Sequence, residues 1–198
     1  GAFDTKHNDR YAEDDTGILT YQFDDFLWEG GSIIGQLGPR GQNAYMMNNQ
    51  GDVTFRDAFL GQCERPAFQF PSRVSNGPVG RGNVLVDRCT VVDPCLQRGG
   101  GGAALSPKGR FDGNFHFKKT EVLMGMNDRL HPELRENITG GIAVGPDKVD
   151  FMGCHALIFD ECTIHVNNDG SKGTARREVA QFGSPYRGGS TADQLIVR

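Results

Sequence analysis

The sequence predicts an all-β protein that is built from stacked copies of one short unit. The unit reads apolar, any, apolar, two charged residues, a mostly small residue, any, apolar. The charged pair shifts the apolar alternation by one residue, which indicates two short strands joined at a corner. The copies span residues 21–28, 53–60, 84–91, 115–122 and 157–164.

The third position of the unit is always apolar and forms the predicted core column. Its occupants are separated by 32, 31, 31 and 42 residues, so one long insertion interrupts an otherwise regular repeat. Stacked in parallel, they would lie about 4.8 Å apart, the normal spacing of strands. The five occupants are Phe23, Phe55, Val86, Phe117 and Phe159.

The first charged residue of each unit supports the parallel register. Along the stack it alternates in sign, which places opposite charges next to each other and avoids like-charge repulsion. Leu195-Ile196-Val197-Arg198 begins a sixth unit, and Arg198 continues the alternation. The first five members are Asp24, Arg56, Asp87, Lys118 and Asp160.

The charged pair is a poor turn for a hairpin, which favours Asn-Gly or Asp-Gly. We therefore expect it to bend the chain into a second sheet. An alternative fold for a 31-residue period is a small β-propeller of about five antiparallel blades, or another β-repeat.

The segments between the units predict further elements. Strands are expected at 32–36, 43–47, 66–70 and 140–144, where short apolar stretches are bounded by turn residues. The stretch 127–139 has helical spacing, with Leu130 and Leu134 four residues apart and Pro132 near its start.

The composition narrows the classes of function. The 198 residues include 28 glycines, and 21 basic against 25 acidic residues give a net charge of −4. This balance argues against a nucleic-acid surface as the main function. No apolar stretch approaches the roughly 18–20 residues of a membrane-spanning helix.

The sequence contains five cysteines, an odd number, and no Cys-x-x-Cys pair. This pattern favours buried free thiols in the core. A Cys89–Cys95 or a Cys63–Cys154 disulfide is the alternative for a secreted protein.

Two stretches resemble a known superfamily. Asn83–Val92 and Ala156–His165 are similar to the rungs of right-handed parallel β-helix proteins, the pectin-lyase-like superfamily with its phage tailspikes and polysaccharide lyases. The resemblance implies a right-handed parallel β-helix of about five to six turns. The expected organisation is an N-terminal arm or cap at 1–17 and a single β-helix domain at 18–198, with an insertion at 125–139.

The resemblance and the outward apolar residues together predict a function. We expect an extracellular or virion-surface protein of the tailspike or adhesin type that binds polysaccharide and forms homo-oligomers. One alternative is a non-enzymatic structural shell or fibre protein, and another is a polysaccharide lyase or hydrolase. The outward apolar residues are Leu27, Phe59, Leu85, Val92, Leu123 and Ile158.

The candidate catalytic residues are His116, Glu121 and His165. Glu121 and His165 are expected to share one outer face, where an acid and an imidazole could act together, although ordinary surface residues follow the same pattern. No outward acidic pair of the kind that glycosidases use is predicted.

No cofactor is predicted, and Ca²⁺ bound by the acidic corner residues is the alternative. A zinc site formed by Cys154, His155, Cys162 and His165 would lack the usual ligand spacing.

Overall fold

All regular elements in the described part of the chain are β-strands, and every pair of neighbouring strands is parallel. The all-β prediction is confirmed, and the propeller alternative is excluded because its blades would be antiparallel. The computed structural model describes residues 16–36, 41–63, 67–71, 79–94, 103–124, 142–144, 151–166, 178–180 and 194–198.

The strands form three sheets, named A, B and C here, and the chain visits them in the order A, B, C. Sheet B contains, from one edge to the other, β2 (Phe26–Glu29), β5 (Val53–Arg56), β9 (Val84–Asp87), β12 (Asn114–Lys118), β16 (Ala156–Asp160) and β19 (Gln194–Val197). Sheet C contains β3 (Ser32–Ile34), β6 (Phe59–Gly61), β10 (Thr90–Val92), β13 (Glu121–Met124) and β17 (Thr163–Val166).

Sheet A completes each repeat. Its main path contains β1 (Thr16–Tyr21), β4 (Gln42–Met47), β7 (Phe68–Pro71), β11 (Ala103–Asp112), β14 (Ile142–Val144) and β18 (Glu178–Ala180). Two short strands, β8 (Gly80–Arg81) and β15 (Phe151–Gly153), pair with the end of β11. We call a strand of sheet B, together with the strands of sheets C and A that follow it, a rung.

The charged pair bends the chain between sheets, as the sequence predicts. In each of four rungs the second residue of the pair has a left-handed backbone, which costs an L-residue roughly 1–2 kcal/mol. The ladder hydrogen bonds on both sides of the corner outweigh this cost. The φ angles are 53° at Asp57, 52° at Arg88, 48° at Lys119 and 51° at Glu161, and Gly30 takes the same place in the first rung with φ 71°.

Several strands of sheets A and C also end at left-handed residues. After sheet A these are Gln22 and Asn48, with φ of 47° and 53°. After sheet C they are Gln62 and Asp93, with φ of 48° and 47°. A left-handed residue is therefore a recurring device at these corners, although the chain passes from β11 to β12 at Gly113 without one.

The predicted register is wrong for the first unit. Trp28, not Phe23, pairs with Phe55. Phe23 lies before β2 and packs edge-on against Phe26 with their ring centroids 5.8 Å apart. Asp24 and Asp25 imitate the charged pair, but they lie at the preceding corner, between sheets A and B.

The register of the other units is confirmed. Phe55 pairs with Val86, Val86 with Phe117, and Phe117 with Phe159. Val197 then pairs with Phe159, which confirms the sixth unit.

The core lies between the three sheets and is rich in phenylalanine. Phe55 of sheet B and Phe68 of sheet A are fully buried, with ring centroids 4.8 Å apart. Phe117 and Phe159 stack at 5.2 Å with nearly parallel rings. The apolar column that the sequence predicts is therefore packed against a second sheet.

The strands expected between the units are confirmed as β3, β4, β7 and β14. The helix expected at 127–139, the insertion at 125–139 and residues 1–15 of the N-terminal arm lie outside the described residues. Within the described ranges, the structure contains no helix with the length and apolar character that crossing a membrane requires.

The four cysteines of the described residues are reduced thiols, as the core interpretation predicts. Cys63, Cys89 and Cys154 are buried and Cys162 is half-buried, so the Cys63–Cys154 disulfide is not formed. Cys95 lies outside the described residues. Ala58, Cys89, Thr120 and Cys162 occupy one inward corner position in successive rungs, where small side chains fit.

Cys89 predicts a loss of stability at high pH. Burial raises the pKa of its thiol from 9.0 to about 11, so the folded protein favours the protonated form. The stabilisation is fully present below pH 9 and is lost as the pH rises towards 11, by roughly 2–3 kcal/mol in all. We expect urea unfolding of the wild type to show this loss.

Cys89→Ala is the matched control for this pH dependence, since Ala58 already occupies the equivalent position one rung earlier. The variant is expected to have a flatter stability curve between pH 8 and 11. Equal slopes for the two proteins would contradict burial of a protonated thiol at this position.

Candidate binding face on sheet B

The outer face of sheet B carries three parallel columns of side chains, because alternate residues of each strand point outward. The middle column is largely apolar, and its first member, Leu27, is 61% exposed. The remaining members are half-buried. In strand order the middle column is Leu27, Thr54, Leu85, His116, Ile158 and Ile196.

One side of the middle column is a ladder of aspartate and asparagine side chains. The Oδ1 atoms of its first three members accept the backbone N–H of the next rung: Asp52 N lies 2.9 Å from Asp25 Oδ1 and Asn83 N lies 2.8 Å from Asp52 Oδ1. Asn114 donates to Asn83 Oδ1 from its backbone N at 3.2 Å and from Nδ2 at 3.0 Å. We call Asp25, Asp52, Asn83 and Asn114 the Asx ladder.

The sequence does carry a signal for the Asx ladder that the unit pattern did not include. A glycine, an Asp or Asn and an apolar residue recur at 51–53, 82–84 and 113–115, again 31 residues apart. The glycine lets neighbouring rungs approach closely. A Cβ at Gly82 would lie 2.2 Å from the carbonyl oxygen of Gly51, and one at Gly113 would lie 1.9 Å from that of Gly82.

The other side of the middle column is the charge ladder that the sequence predicts, with one member corrected. Glu29 replaces Asp24 as its first residue, and the alternation of sign persists. Arg56 Nη1 lies 3.2 Å from Glu29 Oε1, and Arg56 Nε lies 3.6 Å from Asp87 Oδ2. The charge ladder is Glu29, Arg56, Asp87, Lys118, Asp160 and Arg198.

Arg88 strengthens the centre of the charge ladder. Its guanidinium donates to both carboxylate oxygens of Asp57, at 2.8 and 2.9 Å, and to Asp87 Oδ2 at 2.7 Å. The hydrogen bond from Arg88 holds the pKa of Asp57 below its usual value of 3.8. Asp87 is buried, and the guanidinium groups of Arg56 and Arg88 beside its carboxylate compensate its charge.

The predicted catalytic residues fall on two different sheets. His116 lies in the middle column of sheet B, with Nε2 3.6 Å from Asp160 Oδ2, a spacing beyond hydrogen-bonding distance. Glu121 and His165 share the outer face of sheet C, where Glu121 pairs with Thr163 and His165 with Leu123. The structure therefore brings Glu121 and His165 to one face, as predicted, and separates them from His116.

Two further polar pairs were not predicted. His155 Nε2 lies 2.8 Å from Asp112 Oδ1 at an exposed position just before sheet B. Asp25 and Asp52 occupy one outward column on adjacent strands, which corrects the expectation that no acidic pair faces outward. Both pairs depend on register between distant residues, and the unit pattern did not include these positions.

Within the described residues, no group of three or more His, Cys, Asp or Glu side chains is arranged to hold a metal ion. No known family model matches the chain, and no curated protein or solved structure matches it either.

Proposed function

We propose that this chain is a right-handed parallel β-helix, with five rungs and the first strand of a sixth, that binds polysaccharide along the outer face of sheet B, at an extracellular or virion surface. Support for the fold comes from the parallel register that runs through each sheet and from the left-handed residue at every described corner between sheets B and C. The identical order in which successive rungs visit the three sheets also favours it.

The observation that carries the function is the largely apolar middle column, which lies beside the charge ladder and, over its first four strands, beside the Asx ladder as well. Sugar rings have apolar C–H faces and hydroxyl groups at their edges. Binding sites for such ligands combine apolar contact area with a few placed polar groups. Leu27 and Leu85 would contact ring faces, while the Asx ladder and the charge ladder would meet hydroxyl groups on either side.

The shape of this face favours an extended ligand with a repeating structure. Six strands at about 4.8 Å give a continuous face roughly 24 Å long. Along it the charge ladder runs the full length, while Thr54 and His116 alternate with apolar members of the middle column. A chain of several sugar units presents the same groups repeatedly, so it would match this periodicity better than a compact small molecule.

The charges narrow the class of polysaccharide. The charge ladder has three acidic and three basic members in alternation, so its fields largely cancel. The Asx ladder adds the carboxylates of Asp25 and Asp52 beside the column. A strongly anionic glycan would meet no net positive surface here, and we therefore propose a neutral polysaccharide.

Calorimetric titration of the full chain with a neutral β-glucan, a galactomannan and polygalacturonate tests the proposal. We expect a neutral polymer to bind and Leu85→Lys to weaken that binding by about tenfold or more, equivalent to roughly 1.4 kcal/mol. The control is Val92→Lys, the same kind of change at a half-buried outward position of sheet C. Absence of binding to all three polymers, or equal loss in both variants, would overturn the proposal.

Hydrolysis is the second candidate activity, and the Asp25–Asp52 pair favours it. Adjacent strands are spaced about 4.8 Å apart, close to the roughly 5–5.5 Å between the carboxyl groups of retaining glycosidases. Asp52→Asn preserves the Asx ladder, because Asn83 already serves as its next member. If the chain releases reducing ends from a polymer that it binds, this variant should bind the polymer and release none.

A further inference from the structure

The middle column of sheet B has a period of two rungs. In the four inner strands β5, β9, β12 and β16, each of which pairs with a neighbour on both sides, polar and apolar residues alternate in this column. All four side chains are half-buried. In strand order they are Thr54, Leu85, His116 and Ile158.

The charge ladder has the same period and the same phase. Strands with a polar residue in the middle column carry a basic member of the ladder, and strands with an apolar residue carry an acidic one. The pattern includes Leu27 and Glu29 on β2 and ends at Ile196, which is apolar and precedes the basic Arg198. On the four inner strands the ladder members are Arg56, Asp87, Lys118 and Asp160.

The stability of sheet B does not require both alternations. Alternating charges avoid repulsion between neighbouring strands, but a half-buried outward position accepts polar and apolar side chains alike. The outer face of sheet C lacks the alternation, since Thr90, Glu121 and Thr163 are polar in three successive rungs. The two-rung period is therefore a property of the candidate binding face, and it indicates a ligand with a matching repeat.

The length of the period restricts the linkage between the sugars. Two strand steps amount to roughly 9.6 Å. In an extended chain of β-1,4-linked pyranose rings, each sugar advances the chain by about one strand step and is turned over relative to its neighbour. Equivalent groups then recur at every second sugar. Chains with α-1,4 or β-1,3 links coil and present no such flat, alternating surface.

We propose that the ligand of this face is a neutral β-1,4-linked polysaccharide that lies across the strands with one sugar over each. Leu85 and Ile158 would contact alternate sugar rings, and the polar groups of Thr54 and His116 would meet hydroxyl groups of the sugars between them. This inference rests on the proposed function and adds the linkage of the ligand to it.

Titration calorimetry of the full chain with hexasaccharides tests the linkage. Cellohexaose, laminarihexaose and maltohexaose are all built from glucose and differ in having β-1,4, β-1,3 and α-1,4 links. Mannohexaose supplies a second β-1,4-linked chain. We expect cellohexaose or mannohexaose to bind about tenfold or more tightly than the β-1,3 and α-1,4 chains.

A pair of double variants tests the two-rung period. Thr54→Leu with Leu85→Thr exchanges the residue types of two neighbouring strands, so the composition is kept and the alternation is broken. The β-1,4 hexasaccharide should bind this variant about tenfold or more weakly than the wild type. The control is Leu85→Ile with His116→Thr, which keeps the alternation with residue types that the column already contains. Its affinity should stay close to that of the wild type, and circular dichroism verifies that both variants keep their strands.

The possible outcomes separate this inference from the proposed function. Equal or tighter binding of the β-1,3 or α-1,4 hexasaccharide would refute the linkage while polysaccharide binding stands. Equal affinities of the exchanged variant and its control would refute the two-rung match in the same way, as would a polymer that binds when no hexasaccharide does. If neither hexasaccharides nor polymers bind, the inference and the proposed function both fail.

Discussion

Gly82→Ala is expected to lower the free energy of unfolding by about 3 kcal/mol or more. The residue has φ 82°, and a Cβ there would lie 2.2 Å from the carbonyl oxygen and 2.3 Å from the carbonyl carbon of Gly51. The left-handed backbone costs an alanine roughly 1–2 kcal/mol, and relieving the clash costs a further 1–3 kcal/mol.

The rungs on both sides of Gly82 cannot separate easily. Asn83 N donates to Asp52 Oδ1 at 2.8 Å, and Val53 N donates to the Asn83 carbonyl oxygen at 2.8 Å. Moving the backbone of Gly51 away from a new methyl group would therefore break part of the Asx ladder. Because domains are stable by only about 5–15 kcal/mol, a loss of this size removes a large share of the total stability.

Gly30→Ala is the matched control for Gly82→Ala. Gly30 also has a left-handed backbone, with φ 71°, but no atom lies within 4 Å of a Cβ built there. We expect this change to cost only the backbone term of about 1–2 kcal/mol. Urea denaturation of the three proteins gives both values. Equal losses in the two variants would contradict the close approach of rungs at Gly82.

Phe55→Ala is expected to destabilise the protein by about 3–5 kcal/mol, the usual cost of removing a fully buried phenylalanine. Phe55 has no exposed surface. Its ring lies 5.3 Å from that of Phe26 and 4.8 Å from that of Phe68. The cavity would therefore open between sheets A and B, where the surrounding rungs are held in place by their ladders and cannot collapse into it.

Phe23→Ala is the comparison that distinguishes the two registers. If Phe23 occupied the core column, as the unit pattern predicts, its loss would cost as much as that of Phe55. In the structure Phe23 is half-buried and lies outside that column, so we expect a loss of about 1 kcal/mol. Equilibrium unfolding in urea measures both. A loss at Phe23 as large as that at Phe55 would restore the predicted register.

The sequence was sufficient for most of sheet B because the information there is local and periodic. Phe55, Val86 and Phe117 recur at a constant spacing of 31 residues, and the corner between them has constant length. The register failed at the first rung, where the step from Trp28 to Phe55 is 27 residues and Tyr21–Phe23 imitates the start of a unit. An apolar pattern alone cannot choose between two such frames.

The candidate face was predicted less completely. The outward position of Leu85 and the alternating charges after the first rung follow from the unit pattern. The same pattern makes Leu27 outward but aligns it with Phe59 of sheet C, whereas in the structure it pairs with Thr54 of sheet B. To predict the Asx ladder from the sequence, the repeating pattern would have had to be widened to include the glycine and the Asp or Asn that precede the unit. The His155–Asp112 contact joins residues 43 positions apart, and its geometry depends on how the chain closes each rung.

The sequence by itself determined that the protein is made of parallel, stacked strands with an apolar interior, because alternation of side chains and alternation of charge are properties of the order of residues. The tertiary structure alone decided which residue begins the stack, which corner residues take a left-handed backbone, and which carboxylates become neighbours. The physical reason is that pairing between rungs is a contact between residues about 30 positions apart. The register of this pairing is fixed by how well whole strands pack and hydrogen-bond in one alignment compared with another. No single local pattern in the sequence contains that information.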